Sequence, residues 1–352
     1  MTKRKFKVVI QKPVGAAAAA SHGYQYERDA LDPIGAEIVE VNADSEAAFL
    51  AQAKDADAVI ARNRRISATI IAGLERCRVI GLHSVGADTV DVDAATRHGI
   101  VVTNCPDVFI EEVADHTLSM LLAAHRQLPR MHGLMQAGQW AEGRPSFAEI
   151  PRLWGQTIGL ISFGNVATAV SRRCHAFGLR VIAYDPYVSE LEMTRENVEP
   201  ETSLMNLLAR SDFVSMHAPL NVDTHHMMST PHFEAMKASA LFVNNGRGPT
   251  VDEAALTVAL QTNQIAGAAL DVFETEPLDP KSPLLHMDNV LCSPHIASAT
   301  SRMLPESRRR LGRELATVLT VRWPRSAVNP GVLPAMDLDR WQPYPQGRGP
   351  NR

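Results

Sequence analysis

The chain has 352 residues, enough for about two domains, and its composition is that of a globular protein. With 45% hydrophobic and 21% charged residues it can bury a sizeable core, which excludes disorder of the whole chain. The 35 basic and 39 acidic residues give a net charge of −4. This balance provides no general basic surface for nucleic acid or for an anionic membrane.

The four cysteines are widely separated, and no two of them form a CxxC pair. This spacing is not that of a zinc site or a disulfide framework, so we expect reduced thiols and no metal. No apolar run approaches the roughly 18 residues of a membrane span. Lys12 and Pro13 interrupt the apolar stretch before Ala16–Ala20. The sequence therefore predicts a soluble, cytoplasmic protein.

Short β-rich runs alternate with Ala-rich helical segments over the first hundred residues. Strands are predicted at 6–10, 37–41, 57–61, 78–82 and 99–102. Nearly continuous apolar strands separated by helices indicate βαβ units, and hence a parallel sheet covered on both faces.

A second alternating series begins after a predicted buried helix at 111–126 and an irregular arm at 128–153. Its strands are predicted at 157–161, 180–184, 212–217, 240–244, 265–270 and 289–292. Six strands with intervening helices is the number in a doubly wound dinucleotide-binding fold. A last helix is predicted from about 301 to 321. The Pro- and Gly-containing stretch 331–352 is expected to be a mobile tail.

A dinucleotide-binding turn is indicated directly after the strand at 157–161. The sequence Ser162-Phe163-Gly164-Asn165-Val166-Ala167 stands where a GxGxxG turn joins a strand to a helix. Gly164 retains the position where the backbone approaches a pyrophosphate, and Ala167 is an accepted substitute at the helix-packing position. Ser162 departs from the pattern, because the first position favours the conformational freedom of glycine. The pattern is weak alone, since an ordinary strand–helix turn explains it equally well.

Asp185 strengthens this interpretation. It ends the next strand, 21 residues after Gly164, where an acid can bind the ribose hydroxyls of NAD. Its neighbours Tyr184, Pro186 and Tyr187 include no Arg or Lys for a 2′-phosphate. The two features together predict NAD rather than NADP.

Three polar residues follow apolar strands in the second half of the chain. They are Arg247, Glu276 and His295. Any one of them alone could be a solvated surface residue. In open α/β sheets, however, ligands bind outside the carboxyl ends of the strands, so we expect all three to converge there.

Several runs resemble the signature of the D-isomer-specific 2-hydroxyacid dehydrogenases. They are FVNNGRG (242–248), VDEAAL (251–256), ALDVFETEP (269–277) and SPHIASAT (293–300), with GLHSVGADTVD (81–91) similar to the family's substrate loop. The resemblance covers about residues 6–330. It implies an α/β fold of two Rossmann-like doubly wound parallel-sheet domains. The substrate domain is expected at 1–104 and 299–330, with the NAD-binding domain, 105–298, inserted into it and a dimerisation helix and arm at 109–153.

Within the family, the sequence is most similar to phosphoglycerate-dehydrogenase-like and carboxy-terminal-binding-protein-like members. Arg173–Tyr187 and the variant Val113-Ala114-Asp115 resemble the second group. Those corepressors carry an aromatic residue after the catalytic histidine, whereas Ile296-Ala297-Ser298 follows here. This departure favours an enzyme over a corepressor.

The resemblance implies a homodimeric NAD-dependent oxidoreductase that interconverts a 2-oxoacid and a D-2-hydroxyacid. Arg247 would hold the substrate carboxylate, His295 would be the acid–base group, and Glu276 would pair with the histidine and stabilise its protonated form. Cofactor contacts are implied at Val113, Phe163, Gly164, Asn165, Val166, Asp185, Pro186, His217, Pro219, Thr224, Asn245, Gly246, Arg247, Asp271 and His295. Substrate contacts are implied at Ser84, Val85, Gly86, Arg62, Arg64 and Arg247.

The substrate and the turnover both remain open at this point. If Arg62 and Arg64 face the substrate, it carries a second anionic group; a solvated loop explains these arginines equally well. The alternative function is an NAD(H)-sensing regulatory or corepressor-like protein with the same fold and little turnover. Arg247, Glu276 and His295 together favour the enzyme, because a sensor needs only the dinucleotide site.

Overall fold

The computed structural model describes residues 5–13, 22–143 and 150–340, which form two compact units. Unit 1 comprises the described residues of Met1–Val108 and Ser301–Arg352, and unit 2 comprises those of Phe109–Thr300. The described residues nearest both termini thus belong to unit 1, and those of unit 2 come from a single stretch of sequence.

Unit 1 is built on a five-stranded parallel sheet. In chain order its elements are β1 (Phe6–Gln11), α1 (Gln25–Leu31), β2 (Ala36–Val41), α2 (Glu46–Ala53), β3 (Ala58–Ile60), α3 (Ala68–Ala72), β4 (Val79–Gly81), α4 (Val92–Arg97) and β5 (Val101–Thr103). The strands lie in the order β2-β1-β3-β4-β5. Successive side chains of β1 enter different buried clusters, Val8 and Ile10 on one face and Val9 on the other. The sheet is therefore covered on both faces, as the continuous apolar strands predict.

The C-terminal segment of unit 1 packs more tightly than its composition indicates. The last helix spans Met303–Leu319, as predicted. The following stretch was expected to be mobile from residue 331, but Pro330–Ala335 forms a 3-10 helix. Its side chains Val332 and Leu333 are buried in the cluster that contains Leu311. Apolar burial thus fixes this segment despite its prolines. Residues 341–352 of the predicted tail lie outside the described residues, as does the apolar stretch at 16–20.

Unit 2 is built on a seven-stranded parallel sheet. Its elements are α5 (Ile110–His125), α6 (Leu128–Gln136), β6 (Thr157–Ile161), α7 (Asn165–Ala176), β7 (Arg180–Tyr184), α8 (Glu190–Arg195), β8 (Glu199–Pro200), α9 (Leu204–Arg210), β9 (Phe213–Met216), α10 (Thr230–Ala235), β10 (Leu241–Asn244), α11 (Glu253–Gln261), β11 (Gly267–Leu270) and β12 (Val290–Cys292), with Met303–Leu319 of unit 1 numbered α12. The strand order is β12-β11-β10-β9-β6-β7-β8. The chain runs outward from β6 to β8 and then returns to β9 on the other side of β6. This reversal is the topological switch point, beside which doubly wound sheets bind ligands.

The predicted strands are confirmed in both sheets, and two details differ. The short strand β8 was missed because two residues, one of them a proline, carry no periodic signal. The arm at 128–153 was expected to be irregular, yet α6 occupies its first nine residues. Pro129 lies in the first turn of that helix, where the missing backbone N–H costs nothing. Residues 144–149 of the arm lie outside the described residues.

Among the helices that the structure describes, none is long and apolar enough to cross a membrane.

Candidate active site

The turn after β6 has the backbone conformation that its sequence position requires. Ser162 adopts a φ of 71°, the left-handed region that glycine enters freely and other residues enter at a steric cost. The sequence predicted a glycine-like demand at this position, and the structure confirms it. Serine therefore occupies the turn under strain.

The N-terminus of α7 lacks a capping side chain in the described part of the chain. Six other helices begin with a Ser or Asp whose side chain accepts a hydrogen bond from a first-turn amide. At α7 the capping position is Gly164, which offers no such oxygen. A Cβ built on Gly164 would meet no atom within 4 Å. The first-turn amides and this open space fit a pyrophosphate, which helix N-termini bind through amides and the helix dipole.

Asp185, at the end of β7, is held by four donors from its own unit. Oδ2 accepts hydrogen bonds from Ser162 Oγ at 3.0 Å and from Phe163 N at 2.9 Å. Oδ1 accepts from Tyr187 N at 2.8 Å and from Val188 N at 3.3 Å. The carboxylate thus links the β6–α7 turn to the β7–α8 loop.

The loop after β9 lies next to β6 at the switch point. His217 follows this strand, and its Nε2 is 2.9 Å from Ser215 Oγ. Burial lowers the pKa of His217 to about 4, so the imidazole is neutral at pH 7. Thr224 Oγ1 donates to Pro219 O at 2.5 Å, which closes the loop onto itself. Three of the implied cofactor contacts, His217, Pro219 and Thr224, therefore lie on one loop.

The loop after β10 presents Arg247. Asn244 Nδ2 donates to Arg247 O at 3.1 Å, and Thr250 Oγ1 donates to the same oxygen. Gly248 then passes so close to the next loop that its Cβ position lies 1.8 Å from Phe273 O. Absence of a side chain at Gly248 thus allows the Arg247 loop to pack directly on the loop that carries Glu276.

His295 and Glu276 form the pair that the sequence predicted. His295 Nδ1 lies 2.7 Å from Glu276 Oε2, while Glu276 Oε1 accepts from Phe273 N at 3.0 Å. The two side chains are 48% and 36% exposed. Since a carboxylate can only accept, Nδ1 carries the hydrogen, and Nε2 is left as the nitrogen that can exchange a proton with a ligand.

Asp271 anchors the loop that carries His295. Its fully buried carboxylate accepts from Ser293 Oγ at 2.6 Å, Ile296 N at 2.9 Å and Ala297 N at 2.8 Å. Its carbonyl oxygen accepts from His295 N at 2.8 Å. The implied contact of Asp271 with the cofactor stays a prediction, and in this structure its carboxylate binds groups of its own unit.

His116 extends this network to α5 and was not predicted as a functional residue. Its Nε2 lies 3.1 Å from Ser293 Oγ and 3.5 Å from Asp271 Oδ1. Ser293 stands in the SPHIASAT run, but its link to α5 is a tertiary contact that no local pattern encodes. On the same helix, Thr117 Oγ1 accepts from Asn245 Nδ2 at 3.1 Å. Val113 lies one turn before Thr117 and is partly buried.

One group in unit 2 could hold a metal ion by the identity of its side chains. His225, His226 and Glu274 place one ligand atom each within 4.8 Å of the others. His226 Nε2 and Glu274 Oε1 are 2.5 Å apart, which is hydrogen-bond spacing, so these two side chains pair with each other.

The loop that resembles the family's substrate loop follows β4 in unit 1. Cys105 N donates to Ser84 O at 2.9 Å, Asn104 Nδ2 to Val85 O at 2.6 Å, and Ser84 Oγ to Gly86 O at 2.8 Å. These bonds use the oxygens of the loop. In the described part of the chain, the amides of Val85 and Gly86 have no hydrogen-bond acceptor, so they remain available to an anion.

The two predicted arginines of unit 1 differ in their surroundings. Arg64 Nε donates to Gln11 Oε1 at 3.0 Å, Nη2 donates to Ala43 O, and the guanidinium lies over the Phe49 ring. All three of these contacts of Arg64 are made within unit 1. Arg62, by contrast, has a buried Nη1 with no hydrogen-bond partner among the described residues.

The switch-point topology, the uncapped helix after the first strand and the acid after the second define a dinucleotide-binding unit. A histidine oriented by a carboxylate is a group that can exchange a proton, which hydride transfer to a carbonyl requires. The class defined by these features is the nicotinamide-dependent oxidoreductases.

Comparison with known proteins gives the family. Residues 118–297 match the family model described as D-isomer specific 2-hydroxyacid dehydrogenase, NAD binding domain. A glyoxylate reductase of Thermofilum pendens is 37% identical over 302 residues, 84% of this chain and 88% of that protein. A D-3-phosphoglycerate dehydrogenase of Methanocaldococcus jannaschii is 36% identical over 84% of this chain, but the match spans only 56% of that longer protein.

Solved structures show the same architecture. A Thermus thermophilus protein has a TM-score of 0.75 at 31% identity, covering 92% of this chain and 100% of that one. The NADPH-dependent glyoxylate/hydroxypyruvate reductase of Sinorhizobium meliloti, solved with NADP and malonate, has a TM-score of 0.77 at 27% identity, covering 92% and 97%. The chain therefore belongs to the D-isomer-specific 2-hydroxyacid dehydrogenase family and is a nicotinamide-dinucleotide-dependent dehydrogenase. The predicted fold class is confirmed.

Proposed function

We propose that the chain interconverts a 2-oxoacid and a D-2-hydroxyacid, with His295 as the acid–base group and Arg247 as the carboxylate ligand. The observation that carries this proposal is the 2.7 Å contact between His295 Nδ1 and Glu276 Oε2. It uses Nδ1 and leaves Nε2 as the nitrogen that can exchange a proton with a ligand. The neighbouring loop supplies Arg247, and Gly248 holds the two loops together.

When bound, a nicotinamide dinucleotide would supply or accept the hydride, and the residues of the protein would transfer the proton. In ketone reduction, His295 Nε2–H donates a proton to the oxygen on which negative charge develops. In hydroxyacid oxidation, the neutral ring accepts that proton. Glu276 stabilises the imidazole while it carries the proton. A positioned acid–base group of this kind typically accelerates a reaction by about 10²–10⁴-fold.

Arg247 is the proposed ligand of the substrate carboxylate because of its charge and shape. A guanidinium donates two parallel charge-assisted hydrogen bonds to a carboxylate. Its backbone is ordered by Asn244 and Thr250, so the side chain extends from a fixed position. Such a clamp would orient the carbonyl as well as bind the acid.

NAD is the proposed cofactor in preference to NADP. The α7 N-terminus and Gly164 would hold the pyrophosphate, and the Ser162–Asp185 pair lies where the adenosine ribose is expected. A 2′-phosphate there would meet a carboxylate without a neighbouring cation. We expect NADH to bind at least tenfold more tightly than NADPH in fluorescence titrations; equal affinities would contradict this assignment.

The substrate is proposed to be a small 2-oxoacid. The relatives include a glyoxylate reductase and a D-3-phosphoglycerate dehydrogenase, which differ in whether the substrate carries a phosphate. In unit 1, the amides of Val85 and Gly86, which have no acceptor among the described residues, support a contact to an anion. Of Arg62 and Arg64, only Arg62 supports a contact to a second anionic group. Arg64 is not part of the proposal, because its contacts lie within unit 1.

The function is tested by incubating the purified chain and NADH with glyoxylate, pyruvate and 3-phosphohydroxypyruvate. We expect NADH oxidation with at least one of them and a D-configured product wherever the product is chiral. Preference for the phosphorylated acid would support a second anionic group on the substrate, for which Arg62 is the proposed contact. NADH binding without turnover on any 2-oxoacid would instead favour the regulatory alternative.

The chain is further proposed to form a homodimer through α5 and the arm. Leu128, Met135 and Trp140 on this segment are 55%, 53% and 67% exposed. Exposed large apolar side chains of this kind are typical of association surfaces. Sedimentation equilibrium should give twice the chain mass, and a monomer at micromolar concentration would contradict the proposal.

A further inference from the structure

Ser162 combines a strained backbone with a specific hydrogen bond. At a φ of 71° its Cβ crowds the backbone, a cost that glycine would avoid. Strain of this kind persists where the surrounding structure imposes it, and it is concentrated at functional sites. The side chain that occupies this position therefore calls for a chemical explanation.

The direction of the Ser162–Asp185 hydrogen bond follows from chemistry. A carboxylate can only accept, so the single hydroxyl hydrogen of Ser162 points to Asp185 Oδ2, 3.0 Å away. The two lone pairs of Oγ remain. Ser162 thus presents an oriented acceptor, and no donor, to a group that approaches it.

Asp185 itself has little remaining capacity to accept. Its two oxygens already receive hydrogen bonds from Ser162 Oγ and from the amides of Phe163, Tyr187 and Val188. Four donors match the roughly four lone-pair sites of a carboxylate. A ribose hydroxyl that reaches this corner therefore finds its best acceptor in Ser162 Oγ.

We infer that Ser162 Oγ, oriented by Asp185, accepts the hydrogen bond of the adenosine ribose 2′-hydroxyl and is a specificity-determining residue for NAD. A 2′-phosphate cannot donate to the serine lone pairs, and it meets the Asp185 charge behind them. The inference rests on the proposed dinucleotide site and deepens it. Asp185 then acts as a positioning residue, and Ser162 makes the contact.

The test compares NADH, NADPH and 2′-deoxy-NADH as probes in fluorescence titrations of the wild type, Ser162→Ala and Ser162→Gly. Ser162→Ala removes the hydroxyl and keeps the Cβ; Ser162→Gly removes both. Ser119→Ala is the control, because this exposed serine lies on α5 and its hydroxyl donates only to the backbone of Asp115. Thermal melts of each variant accompany the titrations.

We expect both Ser162 variants to weaken NADH binding about three- to tenfold, the effect of one hydrogen bond. The Kd for NADPH should change less than twofold, and 2′-deoxy-NADH should bind the wild type and both variants alike. Unchanged or tighter NADH binding by Ser162→Ala would overturn the inference while leaving the dinucleotide site in place. A wild type that binds neither NADH nor NADPH would overturn the proposed site as well.

Discussion

The carbonyl oxygen of Phe273 lies 1.8 Å from the point that a Cβ atom on Gly248 would occupy. Because the atom in contact belongs to the backbone, a side chain at Gly248 cannot be accommodated by a rotamer change. The loop with Arg247 and the loop with Glu276 therefore depend on this glycine for their packing.

Gly248→Ala should lower both stability and activity. The methyl group must displace the Phe273 backbone, and overpacking of this kind typically costs about 1–3 kcal/mol. Gly246→Ala is the matched stability control, because the nearest atom to its Cβ position is 3.4 Å away. Thermal unfolding and kcat/KM measure the two effects. A Gly248→Ala protein as stable and active as the wild type would contradict the packing argument.

Glu276→Gln should lower the rate of ketone reduction. The Glu276 carboxylate accepts from His295 Nδ1 at 2.7 Å, whereas a glutamine amide carries no charge and can turn either its oxygen or its nitrogen to the ring, so it orients the imidazole less strictly. We expect kcat to fall while the Kd for NADH stays nearly unchanged. Equal kcat/KM values for the variant and the wild type would show that this contact has no role in proton transfer.

Arg247→Lys should raise KM and lower kcat together. Lysine keeps the charge but loses the planar fork, so the carboxylate is bound less well and the carbonyl is misplaced. Arg64→Lys is the control, because the Arg64 guanidinium contacts Gln11 and Ala43 within unit 1. Steady-state kinetics with the best 2-oxoacid distinguish the two. A larger effect from Arg64→Lys than from Arg247→Lys would reverse the assignment.

The cysteines should react slowly with alkylating reagents in the native protein. Burial raises the pKa of Cys77, Cys105 and Cys174 to about 12 and that of Cys292 to about 11. Since the thiolate is the nucleophile, hardly any reactive form exists at pH 7.5. Mass spectrometry after iodoacetamide treatment should show four modifications only in denaturant. Rapid native labelling of Cys174, a fully buried residue of α7, would contradict this prediction.

The sequence predicted the strands well because both parallel sheets are buried on two faces. Thr157–Ile161, for example, is buried along its whole length, and such a strand is a continuous apolar run. Local chemistry also revealed the unusual turn, since the φ of Ser162 follows from its position in the GxGxxG pattern. The helix α6 was missed because glycine and proline are both unfavourable in a helix interior. Gly133 does lie in the interior of α6, but Pro129 lies in its first turn, where proline is tolerated.

The roles of several site residues could not be predicted because they depend on contacts between distant segments. Asp271 stays a predicted cofactor contact from the family resemblance, and the sequence did not indicate that its carboxylate accepts from Ser293 and the amides after His295. Arg64 was an open candidate for a substrate contact by the same resemblance, and the sequence did not indicate that its guanidinium contacts Phe49 and Gln11. The position of a residue directly after a strand predicts the end of the sheet at which it lies. It does not predict which groups its side chain contacts.

His295→Ala tests the central claim most directly, because it removes the proposed proton donor while leaving the dinucleotide turn intact. The measurement is single-turnover reduction of the best 2-oxoacid by enzyme-bound NADH, with the Kd for NADH determined on the same sample. The account predicts a rate about 10²–10⁴-fold below that of the wild type and a Kd for NADH within about twofold. A His295→Ala protein that binds NADH normally and reduces the 2-oxoacid at the wild-type rate would contradict the proposed acid–base role.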